Sequence, residues 1–99
     1  MDKLNIDNRA IKSFCVKHRI RRLALFGSIL RKNFKSDSDI DVLVEFEPEA
    51  AVGLLLMAAM ERELSSILGR KVDLRTPDDL SPYFRDDVIS SAQVQYAQG

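Results

Sequence analysis

The segment SDSDIDVLVEF, residues 36–46, constrains the fold of this 99-residue chain more than any other. Ile40, Val42, Val44 and Phe46 alternate with Asp39 and Asp41, which is the two-residue period of a half-buried strand. One face of that strand, Ile40 to Phe46, is apolar and has to be covered. The other opens on two carboxylates that originate roughly 6.6 Å apart, at ~3.3 Å of rise per residue. Like charges so close on one face weaken a sheet. A pair of divalent cations is the expected compensation.

The flanking elements bring further groups to the same patch. RLALFG reads as a strand from Arg22 to Phe26, closed by Gly27, and Ser28 to about Lys35 as a short helix or turn. Only ten residues, 29–38, separate Gly27-Ser28 from Asp39. A parallel crossover needs a dozen or more, so the two strands are expected to be antiparallel, with Gly27-Ser28 meeting Asp39 and Asp41 at one end of the sheet. In KVDLR, a third strand from Lys71 to Arg75, Val72 and Leu74 make the apolar side and leave Lys71, Asp73 and Arg75 opposite. With helices on one face, Asp73 emerges beside the aspartate pair.

Helical spacing of Ile6, Ala10, Ile11, Phe14 and Cys15 predicts a first helix capped by Asn5 or Asp7. Ala50 to Leu68 reads as a long helix ended by Gly69. Thr76-Pro77 and Ser81-Pro82 are two cap-plus-proline helix starts, the second leading into an amphipathic helix through Phe84, Val88, Ala92 and Tyr96. The expectation is a single α/β (α+β) domain over residues 1–99, with a small mixed sheet and its helices mainly on one face.

Composition narrows the function classes. The longest uncharged apolar run, Ala50 to Met60, has eleven residues, against the ~20 that span a bilayer, so no membrane association is expected. The start, MDKLNIDNRAIK, has no apolar leader. A lone cysteine, Cys15, allows no internal disulfide, as in a reducing cytoplasm. Net charge is zero, but residues 1–35 hold ten Lys/Arg and two Asp/Glu, and residues 36–99 hold five and thirteen. The basic half reads as a solvated helix face and strand edge, not a nucleic-acid arm; Arg31, Lys32 and Lys35 are the exception and could face an anionic ligand.

Oxygen-only ligands suit Mg²⁺, which takes few carboxylates and completes its shell with water and phosphate oxygens. Gly27 permits close backbone approach, and Ser28 opens a helix whose free amides attract anions. Two metals, phosphates and an acceptor make a two-metal displacement site. Competing motifs fail. Counted from Asp37 as a calcium loop, position six is Val42 and position twelve Pro48, where glycine and glutamate are required. Neither a Walker A sequence nor G-x-G-x-x-G occurs.

Gly27-Ser28, ten residues and then Asp39-Ile40-Asp41 resembles the GS-x10-D-x-D signature of the nucleotidyltransferase superfamily related to DNA polymerase beta. Through IRRLALFGS, SDSDIDVLVEF, KVDL and LSPYFRDDV the chain is similar to the minimal, MNT-type members that accompany HEPN proteins in toxin–antitoxin pairs. The resemblance implies that Asp39 and Asp41 bind two Mg²⁺ ions and that Asp73 is the third carboxylate, near the attacking hydroxyl. It implies that Gly27, Ser28 and Ser38 contact the nucleotide, with Arg31 at a position where the family often has arginine. Lys32 replaces the glycine usual there. The implied activity is transfer of AMP from ATP to a tyrosine of a cognate HEPN toxin. A non-catalytic antitoxin that binds nucleotide and neutralises its toxin by complex formation is the alternative.

Remaining residues have plainer readings. His18 is expected as a cation at a helix C-terminus, Cys15 as core, and Tyr83, Phe84 and Tyr96 as packing residues. Leu54 to Met60 is apolar nearly all round. Either the C-terminal helix buries it, or it meets a toxin partner or a second copy of the chain.

Overall fold

The computed structural model describes residues 6–30 and 38–98, so the expectations placed on Asn5, Arg31, Lys32 and Lys35 lie outside the described residues. Asp7 starts helix α1 (Asn8–Lys17): its Oδ1 accepts the amides of Arg9 at 3.0 Å and Ala10 at 3.2 Å, leaving fewer orphan donors in the first turn. His18 caps the other end. Arg19, in the left-handed region at φ 58°, turns the chain into β1 (Ile20–Phe26), which starts two residues before the expected Arg22.

β1 pairs antiparallel with β2 (Ile40–Phe46), as the short connection requires, with Leu23 opposite Val44, Leu25 opposite Val42 and Phe26 opposite Asp41. Helix α2 (Leu54–Leu68) forms the crossover to β3 (Val72–Arg75), which runs parallel to β2. α2 begins four residues later than Ala50, after Gly53 in extended conformation, and ends at Gly69, whose φ of 70° is the left-handed stop expected there.

The C-terminal segment departs from expectation. Helix α3 is short (Arg85–Ser91), and Gln93–Ala97 forms a fourth strand, β4, antiparallel to β1. Val88, Ala92 and Tyr96 lie four residues apart, and that spacing satisfies a two-residue period as well as a helical one. The alternation of Gln93 and Gln95 with Val94 and Tyr96 is the strand signal. Pairing also supplies partners for β1 backbone groups that an edge strand would expose. The sheet order is β3-β2-β1-β4.

α1 and α2 cover one face. Ile11, Phe14 and Cys15 of α1 and Met60, Leu64 and Leu68 of α2 pack over Leu23, Leu25, Ile40, Val42, Val44, Val72 and Leu74. Each large apolar side chain so buried stabilises by about 1.5–3 kcal/mol. The opposite face is not wholly polar: cross-strand partners Ala24 and Leu43 are also buried, beside an Arg22–Glu45 ion pair of 3.1 Å.

One packing expectation fails. Tyr83 and Phe84 are exposed, while Tyr96 does pack on the core. Polar bonds fix the 77–85 turn instead of aromatic packing: Arg85 donates from Nε to the Pro77 carbonyl (2.7 Å) and from Nη2 to the Leu80 carbonyl (3.1 Å). Of the two readings left open for the start of α2, burial by the C-terminal helix does not hold, since Leu54 and Leu55 are each 89% exposed. Among the described residues no helix is long and apolar enough to cross a membrane.

Candidate active site

Strand register, more than any loop, assembles the site. Asp41 lies directly opposite Asp73 on the neighbouring parallel strand, so both carboxylates rise from the face that the helices leave open. Asp73 is held in place from behind. β3 is an edge strand, and two of its outward amides are taken by α2: Val72 N–H donates to Ser65 Oγ (3.0 Å) and Leu74 N–H to Glu61 Oε2 (2.8 Å).

Asp41 is the hub. Burial, the most important cause, pushes its carboxyl above the usual carboxylate range; the charges of Asp73 and then Asp39 push the same way, and a hydrogen bond from the Ser28 amide opposes them. That amide belongs to the 3₁₀ turn Gly27–Leu30, which leaves β1 at the sheet end predicted from the sequence. Gly27 has φ 74°, and a Cβ there would collide with the Asp41 carboxylate. Glycine is therefore required twice, for backbone conformation and for space. Ser28 Oγ also reaches the Asp39 carbonyl at 3.4 Å.

Asp39 is more open and faces Lys71, whose Nζ lies 3.8 Å from its Oδ2. Ser38 sits at the rim, its carbonyl accepting from Arg70 Nη2 at 2.8 Å. Asp73 pairs with Arg75 at 3.0 Å. Each of the two outer carboxylates has thus taken a cationic neighbour, and Asp41 stands between them. Arg31 lies outside the described residues.

The donor set suits a hard cation. Among the described residues no three His, Cys, Asp or Glu side chains gather closely enough for an all-protein metal cage. Mg²⁺ does not ask for one, since one or two carboxylates, waters and substrate phosphates complete its shell. Asp41 with Asp73 on one side and Asp39 on the other offers that oxygen set, and raised proton affinity at Asp41 marks the charge a dication would relieve.

The Arg75–Asp73 pair is a site feature that sequence reading passed over. Its signal was present, because residues two apart on a strand share a face. His18 stands at the C-terminal end of α1 as expected, but it is mostly buried, and its Nε2 lies 2.9 Å from Glu63 Oε1, joining α1 to α2. Cys15 is core, as expected, and burial pushes its thiol up to about 12.

The nucleotidyltransferase domain family matches residues 8–94 of this chain. A candidate protein adenylyltransferase of Methanocaldococcus jannaschii is 35% identical over 89 residues, covering 90% of this chain and 94% of that relative. A solved structure of a candidate minimal nucleotidyltransferase aligns with a TM-score of 0.70 at 35% identity, over 86% of this chain and 85% of that one. A chain from the structure of a tri-AMPylated Shewanella oneidensis HEPN toxin in complex with MNT antitoxin aligns with a TM-score of 0.60 over 92% of this chain and 70% of that one. At 20% identity, that last likeness concerns the fold alone.

Proposed function

This chain belongs to the nucleotidyltransferase domain family, and from that premise we propose that it is a Mg²⁺-dependent enzyme transferring AMP from ATP to a hydroxyl acceptor, a tyrosine of a cognate HEPN toxin. The observation that carries the reading is the Asp41–Asp73 register pair beside the Gly27–Ser28 turn. A plain interaction surface has no physical use for like charges brought together at that cost. Similarity to a candidate protein adenylyltransferase supports AMP as the transferred group and a protein as the acceptor.

In this reaction the acceptor oxygen attacks the α-phosphorus of ATP, a P–O bond forms, and pyrophosphate leaves. Asp39, Asp41 and Asp73 would hold two Mg²⁺ ions, which when bound neutralise the triphosphate and lower the proton affinity of the acceptor hydroxyl. Gly27 lets the triphosphate approach the backbone, and the Gly27–Leu30 turn offers it amide donors. Ser38 and Arg31 are assigned to the same nucleotide. Asp73, nearest the acceptor hydroxyl, takes its proton; Arg75 engages Asp73 Oδ2, which orients the carboxylate. The chain acts as one domain in the cytoplasm, where ATP is available.

The test is transfer of label from [α-³²P]ATP to the HEPN-family protein encoded beside this chain. Label is expected to depend on Mg²⁺ and to fall by roughly 10²-fold or more in Asp39→Asn and in Asp41→Asn. Toxin neutralisation that survives both substitutions would establish the non-catalytic alternative instead.

A further inference from the structure

Tyr83 and Phe84 are held out in water by a locked turn. Tyr83 is 89% exposed and Phe84 63%. The backbone beneath them is pinned at several points. Arg85 donates to the Pro77 and Leu80 carbonyls, and the amides of Phe84 and Arg85 both donate to the Ser81 carbonyl at 3.0 Å. Asp79 Oδ2 accepts from the amide of Thr76 at 3.0 Å and from its hydroxyl at 3.1 Å. A turn already fixed in this way loses little freedom when another molecule captures a ring that it presents.

The chain has two tyrosines. Tyr96 packs against the core from β4, opposite Leu23. Tyr83 is the accessible one, and among the described residues its hydroxyl has no hydrogen-bond partner. The neighbouring alcohols are engaged, Thr76 Oγ1 with Asp79 and Ser81 Oγ with the Tyr83 amide at 3.4 Å. A phenol also gives up its proton more readily than either alcohol. Tyr83 does not line the cavity behind Asp73, which Arg75 and Asp79 also border. The bonds across residues 76–85 hold it away from its own site, so the site it meets is that of a second copy.

Charge favours that encounter. Residues 78–87 hold four Asp and one Arg, whereas residues 1–35, which carry the Gly27–Ser28 turn, hold ten Lys/Arg and two Asp/Glu. Opposite charges on two surfaces steer them together. We propose that the chain modifies itself between copies, one copy transferring AMP to the Tyr83 hydroxyl of another. Tyr83 Oη attacks the α-phosphorus of the ATP held by the second copy and an Oη–P bond forms. The bond from that phosphorus to the bridging oxygen breaks, and pyrophosphate leaves with the electron pair. The phenol proton passes to the second copy's Asp73. The inference rests on the proposed transferase reading for the reaction and adds a substrate to it, this chain.

The experiment incubates the whole chain with [α-³²P]ATP and Mg²⁺, with and without the HEPN-family protein encoded beside it. Mass spectrometry of the tryptic peptide 76–85 locates the adenylyl group, because its fragments separate Tyr83 from Thr76 and Ser81. Label is expected at Tyr83. Tyr83→Phe, at an exposed position, should lose self-labelling entirely and still label the HEPN-family protein, whereas Tyr96→Phe should keep self-labelling. Mixing Tyr83→Phe with Asp41→Asn pairs an active donor of AMP with an acceptor whose own site is disabled. Label should then appear on Tyr83 of the Asp41→Asn chain. Self-labelling that survives Tyr83→Phe, or that is missing from the Asp41→Asn chain in the mixture, would overturn the inference. Label on the HEPN-family protein with none on Tyr83 would overturn it and leave the transferase reading standing. No label on either protein would sink both.

Discussion

Gly27 and Asp41 fit against each other so closely that a single added carbon on Gly27 would fall within contact distance of Asp41 Oδ2 and 3.2 Å from its Cγ. At φ 74° the same residue is also in a region that side chains disfavour. Gly27→Ala should therefore cost roughly 1–3 kcal/mol in backbone strain alone. For a domain of this size that lowers Tm by about 4–8 °C per kcal/mol. Differential scanning calorimetry gives the first effect. Displacement of the Asp41 carboxylate gives the second, read as weakened Mg·ATP binding by calorimetric titration.

Asp41 resists ionisation, chiefly because it is buried and then because Asp73 is charged beside it. A carboxyl whose folded pKa is raised contributes stability below its unfolded value of 3.8 and loses that contribution as pH rises through the folded value. Asp41→Asn should thus leave stability nearly unchanged at pH 3 and raise it at pH 7 by up to about 1 kcal/mol in the absence of divalent ions. Added Mg²⁺ should raise the Tm of the unsubstituted chain at pH 7 and have little effect on the variant. A variant less stable than the parent at pH 7 would show that repulsion at this site is small.

Glu61 links α2 to β3 by accepting the amide of the buried Leu74. Glu61→Ala orphans that donor, at an expected cost of about 1–3 kcal/mol. Amide exchange at Leu74 should speed up in step, and Glu61→Gln, which keeps a side-chain oxygen, should restore most of the loss. Because Asp73 is the next residue back along β3, the alanine variant should also weaken activity without any contact to substrate.

Cys15 is wholly buried in the core, and burial lifts its thiol to about 12. At pH 8 the folded protein should resist iodoacetamide, since the thiolate is the reacting form. In denaturant the thiol should be alkylated readily. Fast labelling of the native chain would mean that α1 opens locally.

The most legible parts of the chain were those whose signals are local. β2 and its two outward aspartates follow from a period of two; the antiparallel β1–β2 pair follows from a ten-residue gap; Gly69 ends α2 as a left-handed stop. β4 was less legible because residues four apart suit both a helix and a strand, and a partner in space resolves the ambiguity. Tyr83 and Phe84 were misjudged for a related reason: large aromatic rings favour burial on average, and only the bonds of Arg85 to two backbone carbonyls reveal that polar contacts hold that turn.

By itself, the sequence determined the pattern of faces: apolar alternation obliges one side of β2 to be covered and leaves Asp39 and Asp41 on the other. Tertiary structure alone decided the register that sets Asp73 directly opposite Asp41, with a cavity at its back. Alternation is a property of neighbouring residues along the chain. Register between β2 and β3, by contrast, depends on the length and packing of α2 and on the side chains with which it takes up the amides of an edge strand.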